Sequence, residues 1–374
     1  MKKMQNFIIM FLLYFSLFLG IYFSKYTANG ILNGINICLK ILIPSLFAFM
    51  IMSNLIANTK FSAILSIPFN FIFKILFKAN SFETTIILLS FIGGYPIGAK
   101  LLSNAVKQNN ITAKKASMML CFCVNCGPAY LISVVGNVVF NNSKIGLILY
   151  LSQIISSIIM GFFVMHFFYK DKKCNLNGFL YKKFTPEIFV ETVLDTARSM
   201  FVICSFVLAF SGFVGIIQQV ISSLSEKNKM IINGIFEVTN GINSLNISAF
   251  DNPILVVAFL TSFGGICVII QIVALVKQNK ISVKSFIFTR FVYVFIVINI
   301  TTIILKFFPQ ELACFVVSKK DLPKFFSVSP ISTIFLVGMW FMAKQRIENW
   351  IFWIIGDLIC IPMMIFKGLG ITSV

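Results

Sequence analysis

Charge of either sign is scarce in this chain of 374 residues: Asp, Glu, Lys and Arg make up 11% of it, and only 12 residues are acidic. Soluble globular domains carry about 25% charged residues, so a water-facing surface over the whole molecule is excluded. No loop of the Gly-x4-Gly-Lys-Ser/Thr type occurs, which argues against ATP as a direct energy source. No nucleophile, base and carboxylate stand together either, so nothing points to enzymatic chemistry. Nine cysteines are an odd number, and Cys38, Cys121, Cys123, Cys126, Cys204, Cys267 and Cys360 all lie in apolar runs, so no disulfide framework is implied. Cys121, Cys123 and Cys126 are near enough in sequence for a soft metal, but a fourth ligand is missing and the one histidine, His166, ends another span. They read as small packing residues, with no metal or cofactor expected.

Hydrophobic surface is what the chain has in abundance. It is 58% hydrophobic with 44 phenylalanines, and several apolar runs approach or exceed the length that crosses a bilayer. The expected fold is an all-α polytopic membrane protein of about 10–12 transmembrane helices, in two repeated halves with interrupted helices. A net charge of +19 would point to nucleic acid in a soluble protein. Here most cations fall between apolar runs, as topology signals do, and no nucleic-acid partner is expected. Lys2 and Lys3 precede an apolar run without a small-residue cleavage site, so residues 1–30 read as a retained anchor span. Residues 31–169 form a first repeat and 170–197 a basic cytoplasmic loop containing Lys170, Lys172, Lys173, Lys182 and Lys183. Residues 198–343 form a second repeat, and 344–374 a C-terminal transmembrane helix. Segments 61–78 and 230–250 are weakly apolar and read as spans or re-entrant hairpins.

The repeat is visible in the letters. Phe91-Ile-Gly-Gly94 recurs as Ser262-Phe-Gly-Gly265, and Val106-Lys-Gln-Asn-Asn-Ile-Thr-Ala-Lys114 recurs as Val276-Lys-Gln-Asn-Lys-Ile-Ser-Val-Lys284. If both weak segments cross, equivalent elements are an odd number of crossings apart and the sequence reads as an inverted repeat, the arrangement of many secondary transporters. That count places Lys277, Lys280 and Lys284 outside, against the charge rule. If both weak segments are re-entrant, the halves run parallel and the conflict disappears. Either way, Gly93, Gly94, Pro96 and Gly98, then Gly127 and Pro128, then Gly264 and Gly265 interrupt helices inside apolar runs. Backbone freed in lipid must find partners within the protein, so these positions are candidate helix breaks and gates beside a cavity.

Four stretches in order resemble a known family. Gly93-Gly-Tyr-Pro-Ile-Gly-Ala-Lys100, Cys123-Val-Asn-Cys-Gly-Pro128, Phe236-Glu-Val-Thr-Asn-Gly241 and Phe263-Gly-Gly265 with Gln271 look like the YlbJ-type (SpoVV) sporulation integral membrane proteins. These carry the nucleoside-recognition or Gate domain related to concentrative nucleoside transporters. The resemblance covers residues 30 to 310. The family pattern has Asn-Asn before the second glycine-proline, where this chain has Val124-Asn125-Cys126, and one polar contact differs accordingly. The resemblance implies passage of dipicolinic acid across the outer forespore membrane during sporulation. A nucleoside-type solute, or a scaffold role without transport, are the other readings. At the C-terminus Trp350-Ile-Phe-Trp353, Asp357, Pro362, Lys367-Gly-Leu369 and Thr372 are similar to one helix of the PnuC-type nicotinamide riboside transporters. That helix is expected to act mainly as an interface anchor.

Against a small anionic aromatic substrate the candidate binding residues are Lys100, Asn125, Glu237 and Gln271. Lys100 follows a glycine-proline break inside a span, where a cation and exposed helix amides would attract a carboxylate, unless it snorkels to the inner surface. Asn125 adjoins Gly127-Pro128 and can donate and accept, toward substrate or between helices. Glu237 is suited to carry a coupling proton or to pair with Lys100. Gln271 hydrogen-bonds substrate or joins helices. Arg198 and Arg290 read as interface anchors. The partners implied are the small anionic solute and the bilayer, and assembly into a homo-oligomer is compatible with this reading.

Overall fold

The computed structural model describes residues 18–169 and 184–308, with Met10 and Tyr14. The expected C-terminal spans, the PnuC-like stretch, most of the N-terminal anchor and the first part of the basic loop lie outside the described residues. Regular structure among the described residues is helical throughout. Helix α1 (Ser24–Ile37) leads through a π-wound turn, Cys38–Leu42, into α2 (Ile43–Asn58). The weak segment near 61–78 forms α3 (Phe61–Ser66) and α4 (Asn70–Phe77), both far too short to cross a bilayer. Helices α5 (Ser81–Gly93) and α6 (Tyr95–Lys107) follow, divided at Gly94. After α7 (Ala113–Leu120) the chain runs without helix to Pro128, then resumes as a π-wound segment, Ala129–Val139. Helix α8 (Ser143–Phe163) continues through Phe168.

Helix α9 (Pro186–Val220) begins inside the stretch expected to be loop. The start signal is local: Thr185 accepts from the Ile188 N–H at 3.4 Å, Pro186 sits in the first turn and Glu187 faces the positive end of the helix dipole. The second weak segment forms α10 (Glu226–Phe236) and α11 (Val238–Asn243), and the chain ends its described course with α12 (Pro253–Phe263), α13 (Gly265–Lys277) and α14 (Lys284–Phe307). Among the described residues four helical stretches are long and apolar enough to cross a membrane, or up to six where each of two bent pairs counts as one span.

Side-chain contacts sort the helix ends into two groups. At one end Lys115 pairs with Glu83 at 2.8 Å, Gln108 donates to Asn58 at 3.0 Å, Lys100 pairs with Asp195 at 2.8 Å and Asn279 donates to Ser103 at 2.6 Å. This end therefore holds the start of α5 and the end of α6, and it gathers Lys107, Lys114, Lys115, Lys277, Lys280 and Lys284. Such a concentration is what the positive-inside rule associates with the cytoplasmic side. It also removes the charge conflict, because both lysine loops of the sequence repeat lie here and α6 runs alongside α13 in the same direction.

Two hairpins reach inward from opposite ends. Eight residues of unbroken helix span about 12 Å, yet a Cβ on Gly98 would lie 2.9 Å from that of Ser90. The chain thus doubles back at Gly94, and α5 and α6 enter and leave on the lysine-rich side. Helix α9 has 35 residues, about 52 Å of length, so it carries the chain to the far end, where α10 starts. There a Cβ on Gly241 would come within 2.2 Å of the Gly234 Cα, so α10 and α11 also double back, with Glu237 at the tip. Each hairpin is followed by an interrupted crossing, broken at 121–128 in one case and at Gly264 in the other, and then by an uninterrupted one, α8 or α14.

Candidate functional site

Three interruptions meet. Gly94 has φ +90° and Gly264 φ +81°, backbone that disfavours any side chain. Space adds to the demand: a Cβ on Gly127 would lie 3.2 Å from Gly94, and one on Gly264 would touch the Tyr95 ring at 3.4 Å. Gly94 and Gly127 border a cavity of about 150 Å³ lined by residues 92–96, 126–130 and 237–239, with Leu42, Leu46, Phe49, Ile203, Val207, Val268 and Gln271. Its walls are largely apolar. Glu237 is the charged residue among them.

The freed backbone groups are satisfied by buried side chains, as a site excluded from water requires. Arg290 on α14 donates to the Ser262 carbonyl at 3.0 Å and to the Val124 carbonyl at 2.8 Å, with the Phe286 and Tyr293 rings packed on its guanidinium at 4.7 and 5.1 Å. Gln153 on α8 accepts from the Cys126 N–H at 2.9 Å and donates to Thr261 Oγ1 at 3.1 Å. The Tyr95 hydroxyl donates to the Thr261 carbonyl. Arg290 and Gln153 therefore each bridge the first interrupted crossing to the second. Reading the sequence for anchors missed both. For Gln153 the available signal was a polar side chain deep within an apolar run, which is costly unless it has buried partners, whereas Arg290 stands in the second turn of its helix, where an anchor would also stand.

The expected binding residues separate in space. Glu237 and Gln271 line the cavity, together with the glycine-proline breaks at Gly93, Gly94, Pro96, Gly127 and Pro128. Both Glu237 oxygens are engaged, accepting from Thr239 N at 3.2 Å and Asn240 N at 2.6 Å, so the residue caps its own helix α11. Gln271 donates to the Cys267 sulfur at 3.2 Å. Asn125 is buried behind the wall, donating to the Phe122 carbonyl and accepting from Ser157 Oγ, both at 2.9 Å. Lys100 lies about 9 Å along α6 from the Gly94 break and pairs with Asp195, which is 43% exposed. Gly98 packs against the Cys123 carbonyl, and Gly265 against the carbonyls of Gly234 and Ile235. Two polar groups near the cavity have no hydrogen bond: the Tyr130 hydroxyl and Asn233 Oδ1.

An all-helical fold with several crossings, hairpins and a polar-tipped cavity at their breaks defines a multi-pass integral membrane protein. Comparison with known proteins agrees. Residues 209–374 match the family described as Nicotinamide mononucleotide transporter. The chain is also similar to Sporulation integral membrane protein YlbJ of Bacillus subtilis (strain 168), with 20% identity over 292 residues, covering 67% of this chain and 71% of the relative. No solved structure matches. With these likenesses the chain is a non-enzymatic membrane protein of transport or sporulation type, residing in the membrane as a multi-pass protein.

Proposed function

We propose that this protein passes a small single-ring pyridine carboxylate, dipicolinate above all, through the cavity where the helix breaks meet. The observation that carries this is that the breaks at Gly94, at Gly127-Pro128 and at Glu237 all line one cavity, together with Gln271. Hairpins that enter from opposite ends, each followed by an interrupted crossing, support reading the bundle as an inverted pair able to open alternately to either side. This pairing joins α5–α8 with α10–α14, a register different from the sequence repeat. Size favours a single ring, since a cavity of about 150 Å³ is what one benzene-sized molecule fills.

A dianion beside Glu237 is repelled unless the carboxylate takes up a proton with it, so Glu237 serves as the carrier of a coupling proton. Gln271 supplies a hydrogen bond, and Tyr95 and Tyr130 supply aromatic surface. Lys100 and its partner Asp195 then act at the mouth of the cytoplasmic side rather than at the substrate. The similarity to a sporulation protein supports placing this activity in the membrane around the developing spore. A second reading rests on the lone carboxylate: a pyridinium solute of the nicotinamide riboside kind would be attracted by Glu237 without any proton, though its added ribose needs a wider cavity.

The test is uptake of labelled dipicolinate into vesicles containing the purified full-length protein. We expect uptake above protein-free vesicles, stimulated by a proton gradient, and Glu237→Gln should abolish the stimulation. Uptake of nicotinamide riboside in place of dipicolinate would establish the second reading, and uptake of neither would end both.

A further inference from the structure

A second cavity, of about 660 Å³, opens beside α4 and the start of α5, and is lined by Asn70, Phe71, Lys74, Lys78, Asn80 and Lys115 among others. Helix α4 meets α5 at 89°, so where α5 follows the membrane normal α4 lies in the membrane plane. The helix is divided lengthwise. Phe73 and Phe77 are buried in the bundle, whereas Phe71 is 76% exposed and Ile72 and Ile75 are exposed beside it. Asn70, Lys74 and Lys78 recur at four-residue spacing and form a separate polar stripe toward the cavity. An in-plane helix with an outward apolar face and a lysine stripe is the physical form of a segment lying at the lipid head-group level.

The charges are unbalanced in a way that calls for an anion. Lys115 is held by Glu83 at 2.8 Å and by the Lys78 carbonyl at 3.1 Å, so that pair is neutral. Lys74 and Lys78 have no carboxylate within ion-pair distance among the described residues. Lys78 is also held in the left-handed region, φ +49°, at the turn into α5, which keeps it at the rim of the cavity. Two unbalanced cations, amide and hydroxyl groups, and apolar side chains exposed next to them match the two-part chemistry of a phospholipid.

We propose that this cavity binds the phosphate head group of an anionic glycerophospholipid, with its acyl chains lying along Phe71, Ile72 and Ile75. The site is on the lysine-rich side and separate from the cavity at the helix breaks. Basic pockets at the cytoplasmic level of helical bundles have the field needed to select anionic over zwitterionic lipid.

The experiment titrates the full-length protein in neutral detergent with phosphatidylglycerol, with phosphatidylcholine of the same chains, or with inorganic phosphate, and follows thermal unfolding. Phosphatidylglycerol should stabilise the protein more than phosphatidylcholine, and inorganic phosphate at equal concentration should have little effect. The double variant Lys74→Gln with Lys78→Gln should weaken apparent phosphatidylglycerol binding about 30-fold, and the Lys74→Arg with Lys78→Arg double variant should restore it. Equal effects of the two lipids, or an unchanged preference in the glutamine variant, would overturn the proposal. Stabilisation by inorganic phosphate as strong as by lipid would overturn it too, in favour of a soluble anion.

Discussion

Gln153→Leu is the sharpest probe of how the interrupted crossings are held. The substitution conserves much of the side-chain volume and removes two interactions: the acceptor for the Cys126 N–H at 2.9 Å and the donor to Thr261 Oγ1 at 3.1 Å. The consequences differ. Cys126 N–H is left without its partner in a buried site, a loss of about 1–3 kcal/mol. Thr261 Oγ1 still donates to the Val257 carbonyl at 2.7 Å, so it forfeits only an interhelical bond, which averages about 0.6 kcal/mol in membrane proteins. The sum is about 1.5–3.5 kcal/mol. It should be read from unfolding of the full-length protein in mixed micelles of rising denaturing-detergent content, with Thr261→Val and the double variant completing a cycle. The coupling between the two positions should be about 0.6 kcal/mol, most of the Gln153→Leu cost remaining when Thr261 is already Val. A total cost below about 0.5 kcal/mol would refute the idea that Gln153 secures the 121–128 interruption.

Two further expectations follow from the same geometry. At Gly98 a Cβ would overlap the Cys123 carbonyl at 1.9 Å, so Gly98→Ala must displace backbone and should cost about 1–3 kcal/mol in the same assay; a neutral result would mean that α6 does not lie against that segment. Lys280→Cys should be labelled by a membrane-impermeant thiol reagent from the same side as Lys107→Cys, and labelling from opposite sides would refute the shared lysine-rich end.

The helix breaks of the candidate site were legible in the sequence because glycine and proline are costly inside apolar helices. Gly94, Gly127-Pro128 and Gly264 stand out for that reason, and each marks a real interruption. The direction taken after a break is another matter. Gly93-Gly94 permits the chain to double back or to continue, and only packing of Ser90 against Gly98 selects the hairpin. The letter repeat had the same ambiguity: it joins α6 and α13, arms that run the same way, whereas the pairing of hairpins shares no obvious motif. Lys100 shows the limit of placing a charge by distance from a break. Its helical face turns it toward Asp195 on α9, a residue 95 positions away that no local pattern connects to it. Arg290 resembled an interface anchor because it lies near the start of its run, yet it is buried where two chain breaks expose carbonyls. The beginning of α9 was marked by Thr185-Pro186-Glu187, but hydropathy gives no weight to a cap.

The way Glu237 is held gives the hairpin tip an unusual property. Each of its two oxygens serves a different amide, Thr239 on one and Asn240 on the other, so a proton arriving on either atom competes with a helix cap. A cap of this kind is worth about 1 kcal/mol, comparable with thermal energy. On the proposal that Glu237 carries the coupling proton, neutralising the charge and loosening the first turn of α11 become one event, and the tip would act as a latch whose key is a single proton.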